Sequence, residues 1–446
     1  MVILLSAGVF FLGGTTLVES LELNKKIHKN VYIEDIDLSG LTVPEAKKKV
    51  DNTIKLNKEL KLKFDDKEYI LNLNKLGVNY LVDNMIESAY NIGRNENILS
   101  NIKRKIKLDL GEDYVIKLKY TFDEKKIDDY VEYIQSEIGI EPTNASIKVE
   151  NDSIVVKKEK YGRKVDTNRL KEVIMYKIEN IYCKENNIPI VELKPKYLYE
   201  DLSKIDTVLG TYETYFNPKK LGRVNNIKVA ANATNNIIID PETEFSFNSY
   251  TQSNEVRSQM QKAPVIVNGK VEEGLGGGIC QVSSTLYNAA LYAGLEITNV
   301  RNHSIPSAYI DKGRDATVAD GNLDLRFKNK FNTHIFIFNK VYDNRIVSVI
   351  YGNKEDKKDI EVTTEIVNTV PNKVKFTESK ELYEGEKNIK ENGRLGYKVN
   401  TFRIYKNIEK PIKEFISESY YPPMDKEVIY GTRKKDIYNT IGSQIM

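Results

Sequence analysis

Cysteine and histidine are scarce in this chain of 446 residues, which has two cysteines and three histidines. So few cysteines exclude the dense disulfide framework that stabilises many small exported domains. Each domain must therefore be stable through its own hydrophobic core. The cysteines and histidines also form no cluster with the spacing of a metal site, so we predict no metal and no other cofactor.

Neither sign of charge dominates, because 67 basic residues stand against 64 acidic ones and the formal net charge is +3 at pH 7. The charges are spread along the chain, and no basic block exceeds a few residues. A nucleic-acid partner requires a concentrated basic surface. The composition therefore argues against nucleic-acid binding.

Charged residues are absent from Met1 to Val18, a largely apolar stretch. Its length is at the lower limit for a helix that spans a bilayer. Residues 1–20 are predicted to be a membrane anchor or signal segment. An uncleaved anchor is favoured, because the stretch has no basic start and no clear small-residue cleavage site. The chain after Glu19 would then lie outside the cell, held at the membrane by a single segment.

Beyond this segment, the 40% hydrophobic and 29% charged residues are typical of a soluble globular protein, and the length predicts three or four domains.

An alternating strand begins at Val31 and precedes a helix that Thr42 opens. Glu45 follows three residues later, which is the spacing of a capping box. Two strands then turn at Asp65-Asp66.

The same plan recurs further along the chain. The pattern predicts a helix at 123–138, two strands that pair across Asn151-Asp152, and a second helix from Asn168 to about Cys183. A repeat of this kind predicts two small α/β modules, residues 30–115 and residues 120–200, each with its helices on one side of a small sheet.

Glycine and cysteine meet in the run from Gly274 to Gly294, which reads GLGGGICQVSSTLYNAALYAG. The apolar residues after Gln281 have the spacing of one helix face, so a glycine loop is predicted to lead Cys280 into the first turn of a helix that ends at Gly294. The unpaired N–H groups and the positive end of the helix dipole lower the pKa of a thiol there. Cys280 is therefore a candidate nucleophile, and the alternative is a small buried hydrophobic side chain.

A thiolate nucleophile needs a base, and three histidines are available. His303 follows a predicted strand and precedes Pro306, so a loop or strand end presents it, and it is the preferred base. His28 lies among lysines beside the predicted anchor, and His334 lies in an alternating strand, so we predict a surface role and a structural role for them. A carboxylate that orients the imidazole is available at four positions that the spacing does not separate: Asp311, Asp315, Asp320 and Asp324.

Several motifs around these residues resemble the signature of the VanW family, found on the cell envelopes of Gram-positive bacteria. They are GGGICQVSSTLYNAAL at 276–291, RNHS at 301–304, GRDATV at 313–318 and DLRFKN at 324–329. The resemblance extends over roughly residues 206–351. Some clostridial members with this layout are implicated as cysteine L,D-transpeptidases that make 3-3 peptidoglycan cross-links. The resemblance implies Cys280 as nucleophile, His303 as base and Asp315 as the orienting acid.

Substrate or oxyanion contacts are predicted for further residues of these motifs: Gly277, Gly278, Gln281, Ser283 and Arg314. In the implied reaction, the thiolate attacks the carbonyl of the third residue of a tetrapeptide stem and releases D-alanine, and the amine of a neighbouring stem then takes the acyl group. Water in place of the amine would give carboxypeptidase activity, and an endopeptidase is a further possibility. The alternative from another class is a non-catalytic wall-binding or scaffolding protein of the cell envelope.

The flanks of this domain resemble wall-binding modules. The two N-terminal repeats resemble peptidoglycan-binding repeats that often precede VanW domains, and a spacer role is equally open for them. Residues 361–435 resemble a G5 domain, associated with cell-wall and amino-sugar binding, and their periodicity predicts an elongated antiparallel sheet.

The predicted fold is an α+β multidomain protein with two α/β repeats, a mixed α+β VanW domain and an all-β C-terminal module. The implied partners are the stem peptides and glycan of peptidoglycan, and the membrane.

Overall fold

The computed structural model describes residues 25–434 except residues 152, 268, 269, 320, 322, 407 and 408. The predicted membrane segment, residues 1–20, lies outside the described residues. Among the residues that are described, no helix combines the length and the apolar character that crossing a bilayer requires. The described chain forms two compact units, one within Met1–Thr143 and Lys160–Pro195, the other within Asn144–Glu159 and Lys196–Met446.

Helices and strands alternate along the first two thirds of the chain, and strands alone fill most of the rest. The α-helices are α1 (Val43–Leu56), α2 (Val82–Asn91), α3 (Ile98–Asp109), α4 (Glu124–Ile138), α5 (Thr167–Glu179), α6 (Tyr199–Leu202), α7 (Leu221–Ala233), α8 (Phe247–Thr251), α9 (Asn254–Ser258) and α10 (Ile279–Tyr292). Short 3₁₀ helices lie at Leu73–Leu76 and Lys354–Asp356.

The strands of the N-terminal half and of the central region are β1 (Val31–Ile33), β2 (Ile36–Asp37), β3 (Glu59–Phe64), β4 (Lys67–Asn72), β5 (Asn79–Tyr80), β6 (Tyr114–Ile116), β7 (Tyr120–Thr121), β8 (Ser146–Glu150), β9 (Ser153–Lys157), β10 (Gly162–Val165), β11 (Glu185–Asn187), β12 (Ile190–Leu193), β13 (Thr207–Tyr215), β14 (Ile237–Ile239), β15 (Glu244–Ser246), β16 (Lys262–Val267), β17 (Lys270–Leu275), β18 (Glu296–Asn299), β19 (Arg326–Lys328), β20 (Ile335–Val341) and β21 (Arg345–Gly352). The C-terminal strands are β22 (Ile360–Val370), β23 (Val374–Tyr383), β24 (Lys387–Glu391), β25 (Gly396–Tyr405), β26 (Ile412–Tyr421) and β27 (Lys426–Arg433).

The first compact unit contains two hydrophobic cores. In one, the sheet β2-β1-β6 packs with α1 and α2, and Val31, Val50 and Met85 are fully buried. In the other, the hairpin β3-β4 of the first repeat packs against α4 and α5 of the second repeat. The capping box at the start of α1 is confirmed, since the Thr42 N–H donates to Glu45 Oε2 at 2.9 Å.

The second helix of the later repeat ends earlier than its pattern predicts. The prediction extends it to about Cys183, but α5 ends at Glu179. The chain leaves helical geometry at Asn180, which has a φ of −121° and a ψ of 90°. The Lys177 ammonium then donates to the Ile181 carbonyl at 2.5 Å, and β11 pairs in parallel with β3. Cys183 therefore lies outside the helix, partly buried against the second core. The residues that follow α5 thus lead into β11, which pairs with β3 of the first repeat, although the local apolar spacing is that of a helix.

The central domain of the second unit is built on the antiparallel sheet β14-β20-β21-β13. Helices α7 and α10 pack on one face of this sheet, and the residues of α10 from Gln281 to Leu291 are all buried. The other face is covered by the hairpin β8-β9 of the second repeat, where Ile147 packs in one cluster with Phe336 and Tyr351. The mixed α+β prediction is confirmed, with each face of the sheet covered by a different element.

The C-terminal module, residues 360–433, contains two three-stranded sheets. The sheet β22-β25-β26 is antiparallel throughout. In the sheet β23-β27-β24, however, β23 runs parallel to β27, so the predicted antiparallel pairing is confirmed for the other strand pairs of the module and wrong for this one. A parallel pair requires a long crossover between its strands, and here the crossover contains β24, β25 and β26. Turn residues predict only short connections between consecutive strands, so they do not predict a crossover of this length.

Gly210 in β13 allows the sheet to approach α10 closely. A Cβ at this position would lie 2.2 Å from the Ala289 carbonyl oxygen and 2.4 Å from the Ala293 nitrogen. Gly210→Ala should therefore destabilise the protein by about 1–3 kcal/mol, the range for overpacking a close-packed core. Urea unfolding followed by circular dichroism measures the change. Thr211→Ala, at the exposed next position, is the control, and equal stability of the two variants would contradict this account.

Candidate active site

Cys280 lies in the first turn of α10, directly after a loop of three glycines. The helix begins at Ile279, and its N-cap Gly278 has a φ of +116°, which a residue with a Cβ adopts only under strain. A Cβ at Gly277 would lie 2.5 Å from the Pro264 carbonyl oxygen. At the other end of the helix, Gly294 follows the C-cap with a φ of +78°. Both predicted ends of this helix are confirmed.

Asn226 of α7 fixes the glycine loop in place. Its side-chain amide donates to the Gly277 carbonyl at 3.0 Å and to the Gln261 carbonyl at 2.9 Å, and its oxygen accepts from the Gln261 N–H at 2.8 Å. The side chain is fully buried, so these bonds are made without competition from water. Sequence reasoning missed Asn226, because other polar residues, among them Asn225 and Lys228, recur in the same helix and do not mark it out.

His303 and Asp315 form a tightly connected pair. Asp315 Oδ2 lies 2.6 Å from His303 Nδ1 and accepts the His303 backbone N–H at 2.7 Å. The His303 side chain is 7% exposed and that of Asp315 is 1% exposed, so solvent barely reaches either group. An ionised carboxylate accepts hydrogen bonds only, so Nδ1 carries a proton and Nε2 is available for the thiol.

The Cys280 thiol donates to the Val318 carbonyl at 3.5 Å, and His303 lines the same cleft. Burial alone raises the pKa of the thiol, but the neighbouring imidazole of His303 outweighs burial, with smaller contributions from Val318 and Arg223. The pKa of Cys280 is therefore below its ordinary value. Cys280 as a residue is half-buried and lines a cleft.

The imidazole is shifted in the opposite direction. Burial lowers its pKa, but the hydrogen bond to Asp315 and the proximity of Cys280 raise it to about 10. A lowered thiol pKa and a raised imidazole pKa both favour the thiolate–imidazolium form of the pair over the neutral form. Such a pair supplies a nucleophile and a proton donor at the same place.

The pair lies in a cleft of about 710 Å³. One wall is the hairpin β16-β17, with Pro264, Val265 and Leu275, and another is the segment after His303, with Ile305 and Tyr309. Among the residues that the structure describes, the cationic side chains in the cleft wall are Lys220, Arg223 and Arg257, and no carboxylate lines it. The cleft thus combines an apolar lining with a positive field.

The other predicted contact residues divide into two groups. Gly277, Gly278 and Gln281 line the cleft. Ser283 and Arg314 do not: Ser283 is fully buried and donates to the Ala316 carbonyl at 2.6 Å, and the Arg314 guanidinium donates to Asn288 Oδ1 at 2.7 Å. Their side chains therefore join α10 to the segment that carries Asp315 and do not face the cleft.

The remaining titratable candidates that the structure describes also lie away from Cys280. Asp324 is 2% exposed and accepts hydrogen bonds from the Ser246 hydroxyl and the Asn248 backbone N–H, so it holds the start of α8 in place. Asp311 is exposed, and Asp320 lies outside the described residues. His334 Nε2 lies 3.6 Å from Asp240 at the edge of the central sheet. The structure thus brings Cys280 together with His303 and Asp315 and not with these groups.

Sequence reasoning missed two side chains of the cleft. Arg223 of α7 donates to Gln281 Oε1 at 2.9 Å, and Gln281 is held in turn by the Tyr215 carbonyl at 2.9 Å. Tyr309 donates to the Cys280 carbonyl at 3.1 Å. Neither lies in the cysteine motif, and the only available signal was their position within segments that flank it.

Three family models match the chain. The VanW like protein family matches residues 222–351, the family described as "Putative peptidoglycan binding domain" matches residues 69–185, and the G5 domain family matches residues 361–433. A solved structure, the IgA1 protease G5 domain, shares 28% identity over 18% of this chain and 95% of that chain, with a TM-score of 0.15.

Curated relatives agree with these matches. The chain is 34% identical over 245 residues to the uncharacterized protein YoaR of Bacillus subtilis (strain 168), covering 54% of this chain and 80% of that protein. It is 28% identical over 160 residues to the vancomycin B-type resistance protein VanW of Enterococcus faecalis (strain ATCC 700802 / V583), covering 34% of this chain and 58% of that protein.

The combination of modules defines a cell-wall-associated protein that binds cell-wall polymer. The chain belongs to the VanW family, as a VanW-domain protein with an N-terminal peptidoglycan-binding region and a C-terminal G5 domain. The family resemblance predicted from the sequence motifs is confirmed.

Alkylation of Cys280 should follow the pKa of the thiolate–imidazolium pair. Because the pKa of Cys280 is lowered by His303, its reaction with iodoacetamide should reach its plateau below the pH at which an ordinary thiol ionises. In His303→Ala the curve should move to higher pH, and the rate near neutral pH should fall by roughly tenfold or more. Mass spectrometry of Cys280 at a series of pH values gives both curves. Superimposable curves would show that His303 does not activate the thiol.

Proposed function

We propose that the chain is a cell-wall L,D-transpeptidase that forms 3-3 peptidoglycan cross-links through a cysteine thioester. The observation that carries the proposal is the grouping of Cys280 and His303 in one cleft of about 710 Å³, with Asp315 hydrogen-bonded to the imidazole at 2.6 Å. Nucleophile, base and orienting carboxylate are the groups that acyl transfer by a thiol requires.

In the acylation step, the Cys280 thiolate attacks the carbonyl carbon of the third residue of a tetrapeptide stem. The Cys280 backbone N–H is the candidate donor to the oxyanion, because the first turn of a helix has N–H groups with no partner within the helix. The neighbouring N–H groups of Ile279 and Gln281 already donate to the Gly276 and Gly278 carbonyls. The bond to the terminal D-alanine then breaks, and the His303 imidazolium gives its proton to the departing amine. The product is a thioester on Cys280 and free D-alanine.

In the second step, the side-chain amine of a neighbouring stem attacks the thioester carbonyl. His303, now neutral, accepts a proton from the attacking amine. The carbon–sulfur bond breaks, the thiolate is restored, and a new amide joins the two stems. Asp315 keeps its hydrogen bond to the imidazole in both steps and stabilises the imidazolium each time it forms.

The charge of the cleft supports a donor that ends in a carboxylate. A tetrapeptide stem has a free carboxylate on its terminal D-alanine, one residue from the bond that breaks. Arg223 lies in the cleft wall near Cys280 and uses one of its five N–H donors on Gln281. We assign to Arg223 the recognition of the D-alanine carboxylate, because a guanidinium binds a carboxylate through paired hydrogen bonds.

Incubation of the purified chain with tetrapeptide muropeptides tests the reaction directly. The wild-type chain should form 3-3 linked dimers, and brief incubation should add the mass of the acyl donor to the peptide that contains Cys280. Cys280→Ala should give neither product, because the nucleophile that forms the thioester is removed. Liquid chromatography with mass spectrometry detects both species.

Cys183→Ala is the matched control, since it removes the other thiol, which lies in the other compact unit. It should retain dimer formation. Equal dimer yields from folded Cys280→Ala and wild type would rule out thioester chemistry and leave the non-catalytic wall-binding function. Release of stem fragments without dimers, in the presence of an amine acceptor, would indicate an endopeptidase.

Two alkylating reagents test the charge of the cleft. Iodoacetate has a negative charge and iodoacetamide has none, so the ratio of their rates on Cys280 reports the field at the sulfur. Relative to free glutathione, the wild-type chain should favour iodoacetate. Arg223→Gln should reduce that preference by on the order of threefold to tenfold, because one nearby positive charge is removed. Lys228→Gln, an exposed lysine on the same helix, is the control. An unchanged ratio in Arg223→Gln would contradict the role assigned to Arg223.

A further inference from the structure

Tyr421, the last residue of β26, extends from the C-terminal β module to the catalytic carboxylate. Its side chain is fully buried. The hydroxyl donates a hydrogen bond to Asp315 Oδ1 and accepts one from the Gly313 N–H at 2.7 Å. A residue 106 positions away in sequence thus contacts the same carboxylate that holds His303.

The two oxygens of the Asp315 carboxylate therefore accept hydrogen bonds from different residues. Oδ2 accepts both the backbone N–H of His303 and the imidazole Nδ1, whereas Oδ1 accepts the Tyr421 hydroxyl. A carboxylate with a partner on each oxygen cannot rotate without losing hydrogen bonds in a buried site. Burial, together with the negative charge of Asp315, raises the pKa of Tyr421, so its hydroxyl stays protonated and remains a donor.

Separate contacts attach the β module to the loop that contains the site. The buried Thr401 hydroxyl donates to the Gly313 carbonyl at 2.7 Å. The Asn302 amide donates to the Tyr420 carbonyl at 2.9 Å, next to His303 in sequence. Arg403 donates to the Leu295 carbonyl at 2.7 Å. The position of Tyr421 is thus fixed by several bonds on both sides of the loop.

We propose that Tyr421 is a positioning residue for the Cys280–His303 pair, and that the C-terminal β module thereby completes the active site in addition to binding the wall. The inference rests on the proposed function where it concerns turnover. The geometric part, that Tyr421 sets the orientation of Asp315 and through it the state of the Cys280 thiol, is independent of the substrate.

The test is the iodoacetamide rate of Cys280 as a function of pH in full-length Tyr421→Phe. Without the hydroxyl, Asp315 loses the donor on Oδ1 and the imidazole is less firmly oriented. The curve should move to higher pH, toward that of His303→Ala, and the rate near neutral pH should fall by on the order of threefold to tenfold. With a muropeptide substrate, kcat should fall while KM changes little, because the substrate does not contact Tyr421.

Thr401→Val distinguishes an effect of Tyr421 on Asp315 from a general weakening of the contacts between the β module and the loop at Gly313. It removes a buried hydrogen bond between the same module and the same residue, Gly313, without touching Asp315. Its alkylation curve should coincide with that of the wild type, and thermal melting should show whether the two variants are destabilised equally. Equal shifts of the curve in Thr401→Val and Tyr421→Phe, or no shift in either, would overturn the inference. Absence of turnover in the wild type would instead overturn the proposed function, while the alkylation curves would still report on Tyr421.

Discussion

The hydrogen bonds between Asp315 and His303 are the interaction on which the rest of the site depends. They hold the imidazole through Nδ1 and the backbone N–H of His303, and together with the charge of the carboxylate they raise the pKa of the imidazole. Because both groups are almost fully buried, water does not weaken these bonds. The low pKa of the thiol follows from the charged imidazole, since burial alone would raise it.

The second constraint is the close packing around the start of α10. Gly277 and Gly278 have no room for a Cβ, because the backbone of β16 and the side chain of Arg223 lie against them. The helix itself is buried over most of its length, so the sulfur cannot shift without disturbing the central sheet. The thiol is thus held by the core of the domain, whereas its partner His303 lies on a loop that other elements must hold in place.

The sequence was informative where chemistry and local pattern coincide. The start and end of α10, the capping box at Thr42 and the resemblance to the VanW family followed from residues close together in the chain. Asn226 and Tyr421 could not be predicted, because their contacts join segments 51 and 106 residues apart. The same limit explains the parallel pairing of β23 with β27 and the early end of α5. In each case a long-range partner determines what the local pattern leaves open.

The hairpin β8-β9 has a consequence for how such proteins are divided. It belongs to the second repeat by sequence, yet Ile147 packs against Phe336 and Tyr351 on the central sheet. The VanW family match begins at residue 222, so a fragment that starts there would lack both this hairpin and β13. One apolar face of the central sheet would then be exposed, and β21 would become an unpaired edge. Expression of a stable VanW domain therefore requires residues from well before the start of the family match.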